Sequence, residues 1–397
     1  MRIVYAKQVM PASGVSSVFL AGPTPRMSEG EAPEPSWRAE AIQIFEEMGY
    51  EGDLFIPEPD PSQGWDADYY SQIDWECEFR RKADIILFWV PRELTKMPAF
   101  TTNIEFGEDL GGGNVFYGRP EESPKNRYLD ARYEKDTFRR PHNDLRTLIK
   151  DVVETIGDGA LRKNGERSVP LWIWNTDSFQ SWYVAHQVQG NRLDDFRVRE
   201  YLRRGPHPDQ VFGWLAWVDI WIASENRNKS NESVMARTDT AMVVPFLTDT
   251  EDMDVLMTNE FRSAVSNDVG KVVEPPAGSS DFSTDPLIVG VEEMREETGF
   301  DIDPARLHYV GTNQSSATML THRTHVYTFL LTPEESREAR RRAESSEVFG
   351  VNPEHESGER ITTSIVSLDE IVDSGVDWAV IGAVMMSHKH IKRRNPA

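Results

Sequence analysis

The chain of 397 residues is 39% hydrophobic and 10% aromatic, which is typical of a globular protein and excludes a mostly disordered one. Its formal net charge of -23 argues against polymeric nucleic acid as the main ligand, but it does not exclude small phosphorylated ligands. This length favours two domains and a connector over a single core.

Cys77 is the only cysteine, so an internal disulfide is excluded. The longest apolar runs, 85–90 and 380–386, are too short to cross a membrane. Lys7 and Pro11 interrupt the amino-terminal segment, which makes it a poor signal peptide. We therefore expect a cytoplasmic protein with no membrane attachment.

Strands and helices alternate in the first third of the chain. We predict strands at 17–20, 54–56, 85–90 and 115–117, and helices after Ser36, at 69–82 and from near 102 to 110. This alternation predicts an α/β fold with a doubly wound parallel sheet. Ligands in such sheets bind at the carboxyl ends of the strands, where Gly22, Pro23 and Thr24 follow the first strand.

Three segments in this region resemble the nucleoside 2-deoxyribosyltransferase family: FLAGPTPR at 19–26, ADIILFWVP at 83–91 and TTNIEFG at 101–107. The resemblance covers roughly residues 15–130. It implies a flavodoxin-like fold, substrate contacts from Gly22 to Thr24, and Glu105 as the nucleophile that attacks the anomeric carbon. We expect Glu105 in the first turn of its helix, where the helix dipole favours an ionised carboxylate.

The departing base needs a proton donor, and Asp74 and Glu76 both precede the strand at 85–90 much as a family acid does. Spacing slightly favours Glu76, but the residues leave both open. Asp84 is expected to be a structural cap. For Trp75 and Trp89, core packing is favoured over stacking on a base.

The middle of the chain shows no family motif. Residues 126–140 are charged and turn-rich, and a helix at 145–156 ends the predicted first domain, 1–156. Residues 157–205 form a connector or an extension of the second domain, with a strand-like run at 169–174 and helical segments in 179–201. The second domain is predicted at 206–397 and includes an apolar strand at 214–223.

Strands at 240–247 and 254–258 form a predicted antiparallel pair ahead of a helix that Asp285 caps and Gly299 ends. Glu293, Glu296 and Glu297 share one face of this helix. Crowded carboxylates repel one another unless a cation lies between them, and hard oxygen ligands suit Mg²⁺ or Mn²⁺ bound to a phosphate substrate.

This stretch resembles the Nudix box. The positions that match the box are Gly278, Glu293, Met294, Glu296, Glu297, Gly299 and Phe300. Thr284 stands where the pattern has Glu, and Glu292 stands where it has Arg. The resemblance implies an α/β/α fold with a mixed sheet and three metal-binding glutamates.

Flanking residues resemble the ADP-ribose pyrophosphatase branch of that family, which implies that Arg262 contacts the substrate. In that branch a further Glu on a later loop assists water activation, and the candidates here are Glu354, Glu356 and Glu359. The remaining predicted elements are strands at 324–331 and 361–366 and helices at 334–346, 369–372 and 378–390.

We interpret the chain as a fusion of two enzymes that act on small nucleosides or nucleotides. The first breaks or exchanges an N-glycosidic bond, as a transferase or an N-glycosidase, and the second hydrolyses a nucleoside diphosphate linked to another group. Two alternatives stay open: a nucleotide sensor with a non-cleaving Nudix fold, and a Nudix hydrolase with a ligand-binding first domain. The sequence is also compatible with a homo-oligomer.

Overall fold

The structure is a computed structural model, and it describes residues 1–25, 36–63, 68–203, 205, 207–249, 253–268, 270–279, 285–350, 359–373 and 376–394. The chain divides into two compact units, Met1–Ala236 and Arg237–Ala397. No helix among the described residues is long and apolar enough to span a membrane.

The first unit contains a parallel sheet flanked by helices. Its strands are β1 (Arg2–Tyr5), β2 (Ser13–Gly14), β3 (Ser17–Ala21), β4 (Asp53–Ile56), β5 (Ile85–Trp89), β6 (Val115–Gly118), β7 (Arg162–Lys163), β8 (Arg192–Arg203), β9 (Val211–Ile222) and β10 (Arg227–Arg237). Its helices are α1 (Trp37–Glu47), α2 (Tyr69–Lys82), α3 (Phe100–Asp109), α4 (Arg127–Thr137), α5 (Leu145–Ile156), α6 (Leu171–Trp174) and α7 (Asp177–Val188).

Five strands pair in parallel in the order β1-β4-β3-β5-β6. The chain moves from β3 to β4 on one side and then to β5 on the other, so the strand order reverses at β3. Helices cover both faces: α1 and α5 pack on one, and α2, α3 and α4 on the other. This arrangement confirms the predicted doubly wound fold. In such sheets ligands bind at the carboxyl ends of the strands beside the reversal, here β3 and β5.

Strands β8, β9 and β10 form a separate sheet, in which β8 and β9 pair antiparallel. Trp214 of β9 is fully buried, and its ring contacts Phe179 of α7 and Phe196 of β8. This cluster belongs to the same core as α1 and α5. The compact unit therefore extends to Ala236, past residue 206 where the sequence analysis began the second domain.

The second unit is built on a mixed sheet. Its strands are β11 (Thr240–Phe246), β12 (Val255–Glu260), β13 (Val272–Glu274), β14 (Ala277–Gly278), β15 (His308–Gln314), β16 (Arg323–Leu330), β17 (Val348–Phe349) and β18 (Ile361–Val366). Its helices are α8 (Pro286–Thr298), α9 (Pro333–Ser345), α10 (Leu368–Asp373) and α11 (Trp378–Arg394).

In this sheet β11 and β16 run parallel and their other neighbours run antiparallel, in the order β15-β16-β11-β12-β18-β17. Helices α10 and α11 pack on one face, and α8 and α9 pack on the other. The predicted α/β/α arrangement with a mixed sheet is confirmed. Helix α8 begins at the Asp285 cap and ends at Gly299, which adopts a φ of 71°.

Two local predictions are wrong. Residues 169–174 were expected to be strand-like, but Leu171–Trp174 is a short helix, because a short buried apolar run has no periodicity that separates helix from strand. Residues 126–140 were expected to be turn-rich, but they contain α4, whose buried Leu129, Tyr133 and Thr137 recur at helical spacing among many charges. That single stripe is a weak signal in sequence.

Candidate functional site

The first candidate site lies at the carboxyl ends of β3, β4 and β5. A Cβ atom at Gly22, after β3, would lie 2.2 Å from the backbone oxygen of Trp89 in β5, so only glycine fits where β3 and β5 approach. The carbonyl of Pro23 accepts a hydrogen bond from the Trp37 indole at 3.1 Å. The loop that follows β3 is therefore fixed against its neighbours.

A buried arginine holds this loop, and the sequence analysis missed it. Arg38 is 1% exposed and forms a 2.6 Å ion pair with Glu58, which follows β4. Arg38 also donates to the carbonyl of Gly22 at 2.7 Å and to the Thr24 hydroxyl at 3.0 Å. The Thr24 hydroxyl in turn donates to Glu58 at 3.1 Å, so Thr24 is held within this network.

Glu76 of α2 and Glu105 of α3 lie side by side. Burial raises the pKa of Glu76 to about 7; a 2.6 Å hydrogen bond from Gln72 opposes this rise, and the charge of Glu105 adds to it. Glu76 is consequently protonated in about half of the molecules at pH 7 and in most of them below it. A protonated carboxyl beside a second carboxyl is a donor–nucleophile arrangement.

The structure separates the two candidate acids. Asp74 is exposed on α2, whereas Glu76 is half-buried and faces Glu105. Arg80, 5% exposed, also lies near Glu105 and pairs with Glu108 and Asp109. Helix α3 begins at Phe100, so Glu105 lies beyond the first turn where it was expected, and the helix dipole acts on it less strongly.

Three other residues of this region have structural contacts. Asp84 is fully buried, accepts hydrogen bonds at 2.9 Å from the backbone N–H groups of Ser17 and Leu171, and pairs with Arg162. Trp75 and Trp89 are 7% and 6% exposed and lie in the core, as expected.

The second candidate site lies where β14 meets α8. A Cβ atom at Gly278 would lie 2.2 Å from Oε1 of Glu293, so the absence of a side chain makes room for that carboxylate. Glu297 is 5% exposed and accepts a 3.0 Å hydrogen bond from the backbone N–H of Ala277. Glu296 is exposed on the same helix face.

Burial and crowding act together on these acids. Burial raises the pKa of Glu297 to about 9, and the charge of Glu293 adds to the rise. Burial raises the pKa of Glu293 to about 7, with further contributions from Glu296, Glu359 and Glu292. Burial also raises the pKa of Glu274 to about 7. The repulsion that the spacing predicted is therefore present.

The oxygen donors and the excess negative charge fit Mg²⁺ or Mn²⁺ by chemistry, since a cation would relieve the repulsion. Among the described residues, however, no three His, Cys, Asp or Glu side chains are already gathered around one metal position. Binding of Mg²⁺ or Mn²⁺ by Glu293, Glu296 and Glu297 is therefore a proposal that rests on the chemistry of these side chains.

Arg262 is not a free cation. It pairs with Glu260 at 2.6 Å and with Glu359 at 3.4 Å. Because Glu359 also raises the pKa of Glu293, it lies within electrostatic reach of α8. Three predicted positions, Glu354, Glu356 and Thr284, lie outside the residues that the structure describes.

An open cavity of about 1480 Å³ in the second unit joins these groups. Gly278, Arg262, Glu359 and the three glutamates of α8 line it. This volume exceeds the roughly 300–1,000 Å³ of an ordinary small-molecule pocket, so the cavity has room for a substrate with two bulky ends.

Comparison with known proteins finds one family. Residues 15–121, less than half of the chain, match a family model described as nucleoside 2-deoxyribosyltransferase like. The first unit thus contains a region similar to that family, at the place where the sequence motifs lie.

No curated protein matches the sequence. A solved structure described as the crystal structure of ADP compounds hydrolase is similar at 12% identity, over 52% of this chain and 97% of that chain, with a TM-score of 0.37. A likeness of this size carries no argument about fold or function.

Proposed function

We propose that the first unit cleaves or transfers an N-glycosidic bond of a small nucleoside or nucleotide. The observation that supports this most directly is the Glu76–Glu105 pair at the carboxyl end of a doubly wound sheet. The family similarity of residues 15–121 supports the same reaction class.

In this proposal a carboxylate oxygen of Glu105 attacks the anomeric carbon and forms an ester with the sugar. The carbon–nitrogen bond breaks, its electron pair goes to the base, and the proton of Glu76 neutralises the departing nitrogen. A second base or a water molecule then displaces Glu105 and releases the sugar. Arg38 and Glu58 position the loop at Gly22 through Thr24.

The test is to trap the ester with a 2-fluoro nucleoside, which slows steps with oxocarbenium character. Intact-mass spectrometry should show the protein heavier by one sugar, and peptide mapping should place it within 101–107. Glu105→Ala should lack both the adduct and base release. Glu134→Gln, an exposed change on α4 in the same unit, is the control and should retain both.

Normal base release by Glu105→Ala would contradict the assignment of the nucleophile. Base release from the wild type without any adduct would instead favour direct attack by water. Absence of base release from every nucleoside and nucleotide would favour a ligand-binding role for the first unit.

We also propose that the second unit hydrolyses a nucleoside diphosphate linked to another group, such as an ADP-ribose-like compound. The supporting observation is the contact of Gly278 with Glu293 beside the buried Glu297, on one wall of the cavity. This is the geometry expected if the resemblance of 274–300 to a Nudix box reflects function.

Glu293, Glu296 and Glu297 would hold Mg²⁺, which screens the pyrophosphate and acidifies bound water. Arg262 supplies a planar cationic fork that can pair with phosphate oxygens. Glu359, which pairs with Arg262, would accept a proton from the attacking water once phosphate engages that arginine. Hydrolysis breaks one phosphorus–oxygen bond and adds water across it.

Replacing Glu296 and Glu297 together by Gln should abolish Mg²⁺-dependent phosphate release and leave base release intact. Glu344→Gln, an exposed change on α9, serves as control. Phosphate release at the wild-type rate from the double variant would contradict the site. Binding without cleavage in the wild type would favour the nucleotide sensor.

A further inference from the structure

The cavity of the second unit has an apolar wall that the proposed hydrolysis does not use. This wall is formed by α11, and its members lining the cavity are Trp378, Ala379, Val380, Gly382, Ala383 and Met386. Val380 and Ala383 are buried in the core of the unit together with Val384 and Ile391. The helix is therefore anchored through these residues, while the exposed Trp378 and Met386 border the cavity.

Trp378 is unusual for its type because it is 85% exposed. Tryptophan is highly buried on average, and an exposed aromatic ring inside a ligand cavity is a stacking surface. Among the residues that the structure describes, most of this ring is therefore uncovered and open to a ligand.

The residues beside Trp378 form a slot. Trp378, Gly382 and Met386 are spaced by four residues and share one face of α11. A Cβ atom at Gly382 would meet no heavy atom within 4 Å, so there is open space between the two larger side chains. Met386 is 37% exposed, and a thioether makes favourable contacts with aromatic rings.

The slot and the carboxylate site open into the same cavity. Asp377 and Trp378 line this cavity of about 1480 Å³ together with Glu274, Glu293 and Glu297. A ligand whose phosphates lie at the glutamates can reach α11 with an attached group.

We propose that Trp378 and the open space over Gly382 bind the nucleobase of a nucleoside diphosphate whose phosphates occupy the α8 site. The inference rests on the proposed function of the second unit and adds the place and chemistry of base recognition. Stacking does not distinguish bases strongly, because every base has an aromatic face. The slot is therefore expected to bind any flat aromatic base, with little preference among the four bases.

Equilibrium binding separates base recognition from phosphate recognition. We would titrate ADP, GDP, CDP and UDP, and inorganic pyrophosphate as the probe without a base, in the presence of MgCl₂. Trp378→Ala should lower the affinity for the best-binding nucleoside diphosphate by roughly 5- to 150-fold, the range that stacking on an aromatic ring supplies. Pyrophosphate affinity should be unchanged.

Three variants make the test specific. Trp378→Phe should restore most of the affinity, because it keeps an aromatic face. Gly382→Leu should fill the slot and lower the affinity for the nucleoside diphosphates. It should not destabilise α11, since glycine is a poor helix former and leucine a good one. Met385→Ala lies on α11 outside the cavity lining and should change neither affinity.

Several results would overturn the proposal. One is an equal loss of affinity for nucleoside diphosphate and for pyrophosphate in Trp378→Ala. The others are unchanged affinities in that variant and no binding of any nucleoside diphosphate by the wild type. A shift of the sedimentation coefficient in Trp378→Ala without a change in affinity would mean that a second copy covers the ring. Binding without hydrolysis would count against the proposed hydrolase and leave the slot standing.

Discussion

Glu76→Gln tests the first site through a quantity that does not depend on knowing the substrate. Burial raises the pKa of Glu76 to about 7, with the charge of Glu105 acting in the same direction. Glutamine keeps the size of the side chain and removes its ionisation. The variant should therefore remove one pH-dependent contribution to the stability of the fold.

The expected size follows from the shift. Relative to 4.5, a pKa of about 7 means that the folded protein prefers protonated Glu76 by about 3 kcal/mol. Between those values the folded state binds more protons here than the unfolded state, so the free energy of unfolding falls as pH rises. This contribution is fully present below pH 4.5 and is lost as pH rises through about 7.

Urea unfolding at about pH 5.5 and about pH 8 measures the effect. Over this interval the wild type should lose about 2 kcal/mol relative to Glu76→Gln. Asp74→Asn is the matched control, because Asp74 is exposed on the same helix, and it should follow the wild type. Parallel pH dependences for the wild type and Glu76→Gln would refute the reasoning.

The catalytic consequence is measured on the same proteins. Base release by the wild type should decline above about pH 7 as Glu76 loses its proton. In Glu76→Gln, release should be slower by about 10²- to 10⁴-fold and should lack that decline. Wild-type rates in the variant would mean that another group donates the proton.

Three further changes give distinct outcomes. Gly278→Ala should lower Mg²⁺-dependent phosphate release at least tenfold, because its Cβ would displace the flexible Glu293 carboxylate. The free energy of unfolding should change by about 1 kcal/mol or less. Steady-state rates and urea unfolding check this, and an unchanged rate would contradict it. Asp84→Asn should cost about 3–5 kcal/mol in urea unfolding, since it leaves buried Arg162 without its ion pair, and a cost below about 1 kcal/mol would contradict that role. Glu292→Arg should raise phosphate release, because a cation replaces one of the charges that crowd Glu293; no activity in either form would favour the sensor.

Local signals in the sequence were sufficient for most elements. Helix α2 spans Tyr69–Lys82 and α5 spans Leu145–Ile156, as their spacing predicted. Caps and turn residues act over a few positions, so Asp285 and Gly299 could be identified as the ends of α8 without knowledge of the rest of the fold. The alternation of strands and helices likewise determined the doubly wound class.

Only the tertiary structure decided which polar groups meet. Spacing favoured Glu76 over Asp74 only slightly, whereas the packing of α2 places Glu76 beside Glu105 and leaves Asp74 in solvent. The Arg38–Glu58 pair joins residues from different elements, as does Asp84–Arg162. The physical reason is that burial and charge pairing depend on contacts between distant segments, which periodicity and capping within one segment do not specify.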